Sequence, residues 1–202
     1  HPAQISDAKA AVRFLRAYAP RFLLDSARVA AWGGSAGGYL AAMLATTADV
    51  ASLDDPSLGH QEQPSRVQAL VAFYPLVDFT TLDAQMAARR CGLFDGVEWG
   101  SPGSAVSRLL GFTVADDAVR ATAASPLAYL GPDDPPTLIV HGAIDCTVPV
   151  DQAWQLYEAV DAVLADDQVR LRVLPDAGHG GPEFDTADVA GEVARFLAQH
   201  MR

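Results

Sequence analysis

Residues 28–38 have the sequence RVAAWGGSAGG, in which a short apolar run leads directly into a glycine-rich turn. Residues 39–46 follow at once with the composition of a helix. Gly33, Ser35 and Gly37 match G-x-S-x-G, the spacing of a sharp strand-to-helix turn that presents a serine hydroxyl. We expect a Cβ at either glycine to collide with the neighbouring backbone. The turn therefore predicts a serine held at the carboxyl edge of a parallel sheet, where open α/β sheets bind ligands.

Outside this turn, apolar patterns alternate between strands and helices. Near-continuous apolar runs at residues 67–74 and 137–140 predict strands buried on both faces. Val169, Leu171 and Val173 alternate with arginines, which predicts a half-exposed strand near a sheet edge. Helical periodicity predicts further helices at residues 7–18, 151–164 and 185–200. The fold class is therefore α/β, with a parallel sheet flanked by helices.

The first predicted helix has two boundary signals. Ser6 and Asp7 are suitable caps for its start, and Pro20 marks its end. Its apolar positions recur at helical spacing and are expected to face the core; they are Ala8, Ala11, Val12, Leu15 and Tyr18.

Length and charge limit the function classes. A chain of 202 residues is expected to form a single domain over residues 1–202, with one irregular excursion at about 77–126. Such an excursion is typical of a lid or a pocket wall. The net charge of −11 argues against binding to nucleic acid or to an anionic membrane. Histidines do not pair at metal-ligand spacing, so we expect no metal.

A serine becomes a good nucleophile only beside a base that a third group orients. In folds with this turn the chain order is serine, acid, histidine. Asp145 follows the strand that ends near Val140, and His179 lies in a loop after the last strand. Both positions fall at the edge of the sheet that displays Ser35. We therefore predict Ser35 as nucleophile, His179 as base and Asp145 as acid, with the Ala36 N–H in the oxyanion hole.

Two other aspartates and one other histidine are further candidates for the acid and the base. Asp78 also follows a buried strand, but it opens the irregular excursion, so Asp145 is favoured. Asp176 is close to His179 in sequence and is expected to form a turn. His141 lies at the end of a buried strand and is expected to be a structural histidine whose hydrogen bonds are satisfied.

The two cysteines, Cys91 and Cys146, allow two interpretations. They are either free thiols or one disulfide that pins the excursion beside the acid loop. A disulfide implies an oxidising compartment, so the protein is expected to be secreted if these cysteines are bridged.

At this point the chain resembles the α/β-hydrolase superfamily, and within it the acetyl-esterase and lipase-like group that includes bifunctional feruloyl and acetyl xylan esterases. The residues that carry this resemblance are 2–4 with the helix 7–18, the turn 32–38, the segment 141–149 and the loop 178–180. The resemblance implies a serine carboxylesterase that needs no cofactor. Its expected substrates are short acyl esters, either small molecules or acetyl and feruloyl groups on plant polysaccharide.

The same resemblance implies an N-terminally truncated α/β-hydrolase domain, because members carry upstream strands and a His-Gly-Gly-type oxyanion loop that this sequence lacks. The strand near residues 28–32 would then be an open edge, through which the chain is expected to self-associate. Two alternatives remain. One is a peptidase or amidase on the same triad, and the other is an inactive fragment or binding domain without its oxyanion loop.

Overall fold

A computed structural model describes residues 1–201 and contains a four-stranded parallel sheet. The strands are β1 (Ala30–Gly34), β2 (Ala69–Phe73), β3 (Thr137–Gly142) and β4 (Val169–Leu174). They lie side by side in chain order, and each pairs in parallel with the next. The two apolar runs form the fully buried central strands, and the alternating run forms the half-exposed edge strand. The strand predictions are confirmed.

Helices cover both faces of the sheet. Their bounds are α1 (Ala3–Ala17), α2 (Ala19–Phe22), α3 (Ala36–Thr46), α4 (Leu82–Ala88), α5 (Ala105–Leu110), α6 (Ala118–Ala123), α7 (Asp151–Asp161) and α8 (Ala187–His200). Helices α1, α3 and α7 share one apolar core on one face, and α8 packs on the other. Among the described residues, no helix is long and apolar enough to cross a membrane.

Helix α1 differs from the prediction at its start and on its buried face. It begins at Ala3, so Ser6 and Asp7 lie inside the helix and do not cap it. Leu15 and Tyr18, which were expected to face the core, are more than a third exposed. The buried face instead includes two basic residues. Lys9 Nζ donates to the Val50 carbonyl, and the Arg13 guanidinium pairs with Asp54.

The predicted excursion at 77–126 contains the three short helices α4 to α6 and connecting turns. Its start is fastened to α7 by the buried side chain of Gln152. The Gln152 Oε1 accepts from the backbone N–H groups of Val77 and Asp78, and its Nε2 donates to the Asp78 carbonyl and to Gln85 Oε1. These bonds fix the start of the segment against α7.

Strand β1 is an edge strand, and its Trp32 side chain is 56% exposed. Unpaired backbone groups beside an exposed aromatic ring favour pairing with another chain. We predict that the 202-residue protein self-associates through the strand at residues 28–32 or is poorly soluble, as measured by light scattering across a concentration series. Trp32→Glu is expected to favour the monomer, whereas Val119→Glu on the exposed side of α6 is expected to leave association unchanged. A monodisperse monomer of the unchanged sequence would contradict this prediction.

Candidate active site

Ser35 occupies a strained turn between β1 and α3. Its backbone angles are φ 56° and ψ −123°, a region that residues with a Cβ rarely adopt. The Ser35 N–H donates to the Phe73 carbonyl at 3.0 Å, which ties the turn to the end of β2. The turn therefore lifts the Ser35 side chain beyond the carboxyl edge of the sheet.

The glycines around Ser35 permit two close backbone approaches. A Cβ on Gly33 would lie 2.2 Å from the Gly37 carbonyl oxygen, and one on Gly38 would lie 2.9 Å from the Phe73 carbonyl oxygen. The expected collision at Gly37 is wrong, because a Cβ there would meet no atom within 4 Å. Close backbone approach therefore requires glycine at positions 33 and 38, and a Cβ on Gly34 would lie 2.8 Å from the Tyr74 hydroxyl oxygen.

Three predicted site residues lie in one hydrogen-bonded chain. The His179 Nε2 is 2.8 Å from Ser35 Oγ, and the His179 Nδ1 is 2.7 Å from Asp145 Oδ2. Since a carboxylate only accepts, Nδ1 carries a proton and Nε2 is free to accept from the serine hydroxyl. This is the arrangement in which a histidine removes the serine proton during nucleophilic attack.

Direct contact between two loops sets the separation of acid and base. The Ala143 N–H donates to the Leu174 carbonyl at 2.8 Å, and the Ile144 N–H donates to the Ala177 carbonyl at 3.2 Å. A Cβ on Gly142 would lie 2.2 Å from the Ala177 oxygen, so only glycine permits this approach. The loops after β3 and β4 are thereby held together, and each carries one side chain of the candidate triad.

The Asp145 carboxylate is fully buried and ionised. Its Oδ1 accepts from the backbone N–H groups of Thr147 and Val148, at 2.8 and 2.9 Å. Burial by itself raises the pKa of this carboxyl. The close contact with His141 and the hydrogen bond from His179 outweigh that effect and hold the pKa well below its usual range. The buried charge is available to orient His179 and to stabilise its protonated form.

The alternative acids lie elsewhere. Asp78 Oδ1 accepts from the backbone N–H and the hydroxyl of Thr80, so its carboxylate closes its own turn. Asp176 is exposed in the turn after β4. His141 is buried as expected, but its bonding is not satisfied, because its Nδ1 has no partner among the described residues. Its Nε2 contacts Asp145, which makes it part of the site.

Ala36 is the first residue of α3 and is exposed beside Ser35. The first N–H groups of a helix have no intrahelical acceptor, and the helix dipole is positive there. The Ala36 N–H is therefore free to donate to a group bound beside Ser35, and its role in an oxyanion hole stays a prediction.

Tyr74 is a site residue that the sequence interpretation missed. It directly follows β2 and has a positive φ of 36°, which is rare for an aromatic residue. Its ring contacts the His179 imidazole edge-on, with 4.7 Å between centroids. Burial, more than the nearby carboxylates of Asp185 and Asp145, raises the pKa of Tyr74. The sequence could have indicated Tyr74, because it lies at the end of a buried strand. It is therefore at the same edge of the sheet as Ser35.

A cavity of about 520 Å³ opens beside the candidate triad. Its lining is mainly apolar and consists of Ser35, Ala36, Tyr39, Leu76, Phe79, Phe94, Trp99, Ala105, Val106, Leu109, Thr147 and His179. The rings of Phe94 and Trp99 stack with 4.7 Å between centroids. Asp83 fixes this wall, because its carboxylate accepts from the backbone N–H groups of Trp99 and Gly100. The excursion thus supplies one side of the cavity.

A disulfide joins Cys91 to Cys146, the residue after Asp145. It connects the end of α4, and hence the wall formed by Phe94 and Trp99, to the turn that holds the acid. The bridge therefore links the wall of the cavity to the candidate triad.

We predict that this bridge contributes about 4 kcal/mol to stability in the chain-entropy model, because it closes a loop of 55 residues. Urea unfolding of the double variant Cys91→Ser/Cys146→Ser, compared with the unchanged protein, measures the loss. Alkylation without reductant followed by mass spectrometry tests the bridge itself. Two alkylated cysteines in the native protein would show that it is absent.

Within residues 1–201, no cluster of three or more His, Cys, Asp or Glu side chains is arranged to hold a metal ion. The candidate site consists of Ser35, His179 and Asp145 beside an apolar cavity.

The chain is similar to known esterases. The BD-FAE family model matches residues 1–160. Esterase LipC of Mycobacterium tuberculosis is 32% identical over 205 residues, which cover 98% of this chain and 46% of LipC. The chain therefore spans about half the length of this relative.

Two solved structures are also similar. A bifunctional GH43-CE protein of Bacteroides eggerthii superposes with a TM-score of 0.85 at 26% identity, covering all of this chain and 27% of that one. A truncated form of a carbohydrate esterase from gut microbiota superposes with a TM-score of 0.83 at 25% identity, covering 99% of this chain and 69% of that one. The predicted α/β-hydrolase type of fold is confirmed.

Proposed function

Because the chain belongs to the BD-FAE family, we propose that it is a serine carboxylesterase that acts through an acyl-enzyme on Ser35. The observation that carries the proposal is the continuous chain from Ser35 Oγ through His179 to Asp145, with contacts of 2.8 and 2.7 Å. The esterase name of LipC and the carbohydrate-esterase name of the structural relative support the same activity.

In the proposed reaction, Ser35 Oγ attacks the ester carbonyl while His179 Nε2 takes the hydroxyl proton. The Ala36 N–H stabilises the oxyanion of the tetrahedral intermediate. His179 then gives its proton to the leaving alcohol, which leaves an acyl group on Ser35. Water, activated by His179, hydrolyses this acyl-enzyme and restores the serine. Asp145 holds the imidazole in the required tautomer throughout.

The cavity beside Ser35 suggests which acyl groups fit. An acetyl group would leave most of its volume of about 520 Å³ empty. The stacked rings of Phe94 and Trp99 offer a flat apolar wall for a planar aromatic acyl group. We therefore propose short acyl esters, acetyl or feruloyl, as substrates, and expect the feruloyl group to use more of the cavity. Plant polysaccharide as the alcohol side is proposed from the family resemblance alone.

Turnover of matched p-nitrophenyl esters and p-nitroanilides tests the proposed class of reaction. We expect ester hydrolysis and little anilide hydrolysis. Comparable anilide turnover would favour a peptidase or amidase. A protein that neither hydrolyses the esters nor reacts with a fluorophosphonate probe would be an inactive fragment or a binding domain.

We predict that Leu109→Trp lowers kcat/KM for a feruloyl ester by about tenfold more than for an acetyl ester, because added bulk in the cavity excludes only the larger group. Both constants are measured with the same alcohol. Leu58→Trp is the matched control, since Leu58 is exposed and does not line the cavity. If kcat/KM falls equally for the two esters, the acyl group binds outside this cavity.

The disulfide supports a proposal about the compartment. Bridges of this kind persist in oxidising environments. We propose that the protein works outside the reducing cytoplasm.

A further inference from the structure

His141 lies at the carboxyl end of β3, where its side chain is completely buried. Its Nε2 is 2.8 Å from the Val148 carbonyl oxygen and 3.3 Å from Asp145 Oδ2. The acid of the candidate triad thus lies between two imidazoles, His179 on one side and His141 on the other. The acyl-transfer steps described above use only His179.

The surroundings of His141 define where its proton lies. The Val148 carbonyl and the Asp145 carboxylate both only accept hydrogen bonds, so Nε2 must carry the hydrogen that faces them. The Nδ1 is buried and has no partner among the described residues. A second proton there would be a buried donor without an acceptor, which is costly. The geometry therefore favours a neutral imidazole with its proton on Nε2.

The contact with His141 completes the shell around the acid. Thr147 and Val148 donate to Asp145 Oδ1, whereas His179 and His141 donate to Oδ2. The two backbone donors hold one oxygen within its own turn. His141 holds the other oxygen from the opposite side, and it also grips the end of that turn through the Val148 carbonyl. Among the lowering effects on the Asp145 pKa, the hydrogen bond from His141 is the largest.

We propose that His141 is a positioning residue for the acyl transfer: its Nε2, bonded to the Val148 carbonyl and 3.3 Å from Asp145 Oδ2, keeps Oδ2 aimed at His179 Nδ1. The partial positive charge of this N–H offsets part of the Asp145 charge and so limits how strongly the acid stabilises protonated His179. This inference rests on the proposed function of the Ser35 site.

Other charged groups lie near this pair. Asp151 at the start of α7 interacts with His141, but Arg89 is its ion-pair partner and lowers the pKa of that carboxyl. The Tyr74 ring contacts His179. Asp151 is held by Arg89 and Tyr74 packs on His179, so neither depends on a hydrogen bond to His141. We therefore assign a change in pH dependence on replacing His141 to the lost contact with Asp145.

Two variants of His141 separate positioning from simple packing. His141→Leu fills similar space without a donor, whereas His141→Gln places an amide N–H near the position of Nε2. We expect His141→Leu to lower kcat by about 10- to 100-fold with little change in KM, the effect of losing a hydrogen bond to a charged group. We also expect the low-pH limb of its rate profile to move to higher pH by about half a unit or more. His141→Gln should keep most of kcat and leave the low-pH limb of the rate profile where it is in the unchanged protein.

A kcat for His141→Leu within about twofold of the unchanged protein, with the same pH limb, would overturn the proposal. The proposal would also be overturned if His141→Leu and His141→Gln lost the same kcat and the low-pH limb of the rate profile did not move. A packing defect predicts that result.

Histidine ¹⁵N correlation spectra of the unchanged protein give a second measurement that needs neither turnover nor a folded variant. We expect His141 to carry its proton on Nε2 across the neutral range, and a proton on Nδ1 would overturn the inference. Failure of the proposed function looks different, because the unchanged protein would then show no ester hydrolysis whatever tautomer His141 adopts.

Discussion

Replacing Ser35 by alanine is expected to lower ester turnover by roughly three orders of magnitude or more, and His179→Ala should lower it as much. Ser35 supplies the oxygen that becomes acylated, and His179 Nε2 lies 2.8 Å from that oxygen to remove its proton. Because the two groups act in the same step, we expect the double variant to be little worse than either single one. Steady-state hydrolysis of p-nitrophenyl acetate measures all three.

The control for this experiment is Ser57→Ala, which changes an exposed serine in the turn after Asp55 and should keep full activity. Mass spectrometry after fluorophosphonate treatment adds a direct test. The unchanged protein should carry the label on the peptide that contains Ser35, and Ser35→Ala should carry none. Labelling of another serine, or turnover that survives in Ser35→Ala, would refute the assignment of the nucleophile.

The features that sequence predicted well are those that local chemistry determines. Glycines around Ser35 specify a sharp turn whatever surrounds it, and long apolar runs specify buried strands. Since parallel strands end at the same edge, residues that follow β3 and β4 had to lie near Ser35. That reasoning places Asp145 and His179 together without any knowledge of the loops between them.

Helix α1 was predicted less well, because its buried face depends on distant partners. Lys9 and Arg13 are buried since a carbonyl and a carboxylate from residues 50–54 receive their charged groups. Local periodicity contains no information on those partners. It therefore assigned the inward face to the apolar residues Leu15 and Tyr18, which the structure exposes.

The cavity wall was unpredictable for a similar reason. Phe94 and Trp99 stack because Asp83 fixes the Trp99 backbone and a disulfide anchors the same segment, and these contacts join residues far apart in sequence. By contrast, His141 carried a signal that was not used. It precedes Asp145 by four residues and lies at the end of a buried strand. That strand ends at the edge of the sheet where the triad residues meet.

Asp145→Asn is expected to lower kcat by about four orders of magnitude, because an amide in place of a buried triad acid favours the wrong histidine tautomer. The local hydrogen bonds determine the orientation of the new amide group. Thr147 and Val148 donate to Oδ1, so the oxygen of the new amide must stay there as acceptor. Its NH₂ group then replaces Oδ2 and faces His179 Nδ1. An imidazole that accepts at Nδ1 carries its proton on Nε2 and no longer removes the proton from Ser35.

Asp78→Asn is the matched control, since it makes the same chemical change in the other acid that follows a buried strand. The Asp78 carboxylate accepts from Thr80, and an amide oxygen can accept those bonds as well. We therefore expect kcat to change by less than about threefold, as for other substitutions that break no buried network. The two variants are compared by kcat on one ester, with circular dichroism to show that both fold. If Asp78→Asn is the more damaging change, the acid of the triad is Asp78 and the contact between Asp145 and His179 is structural.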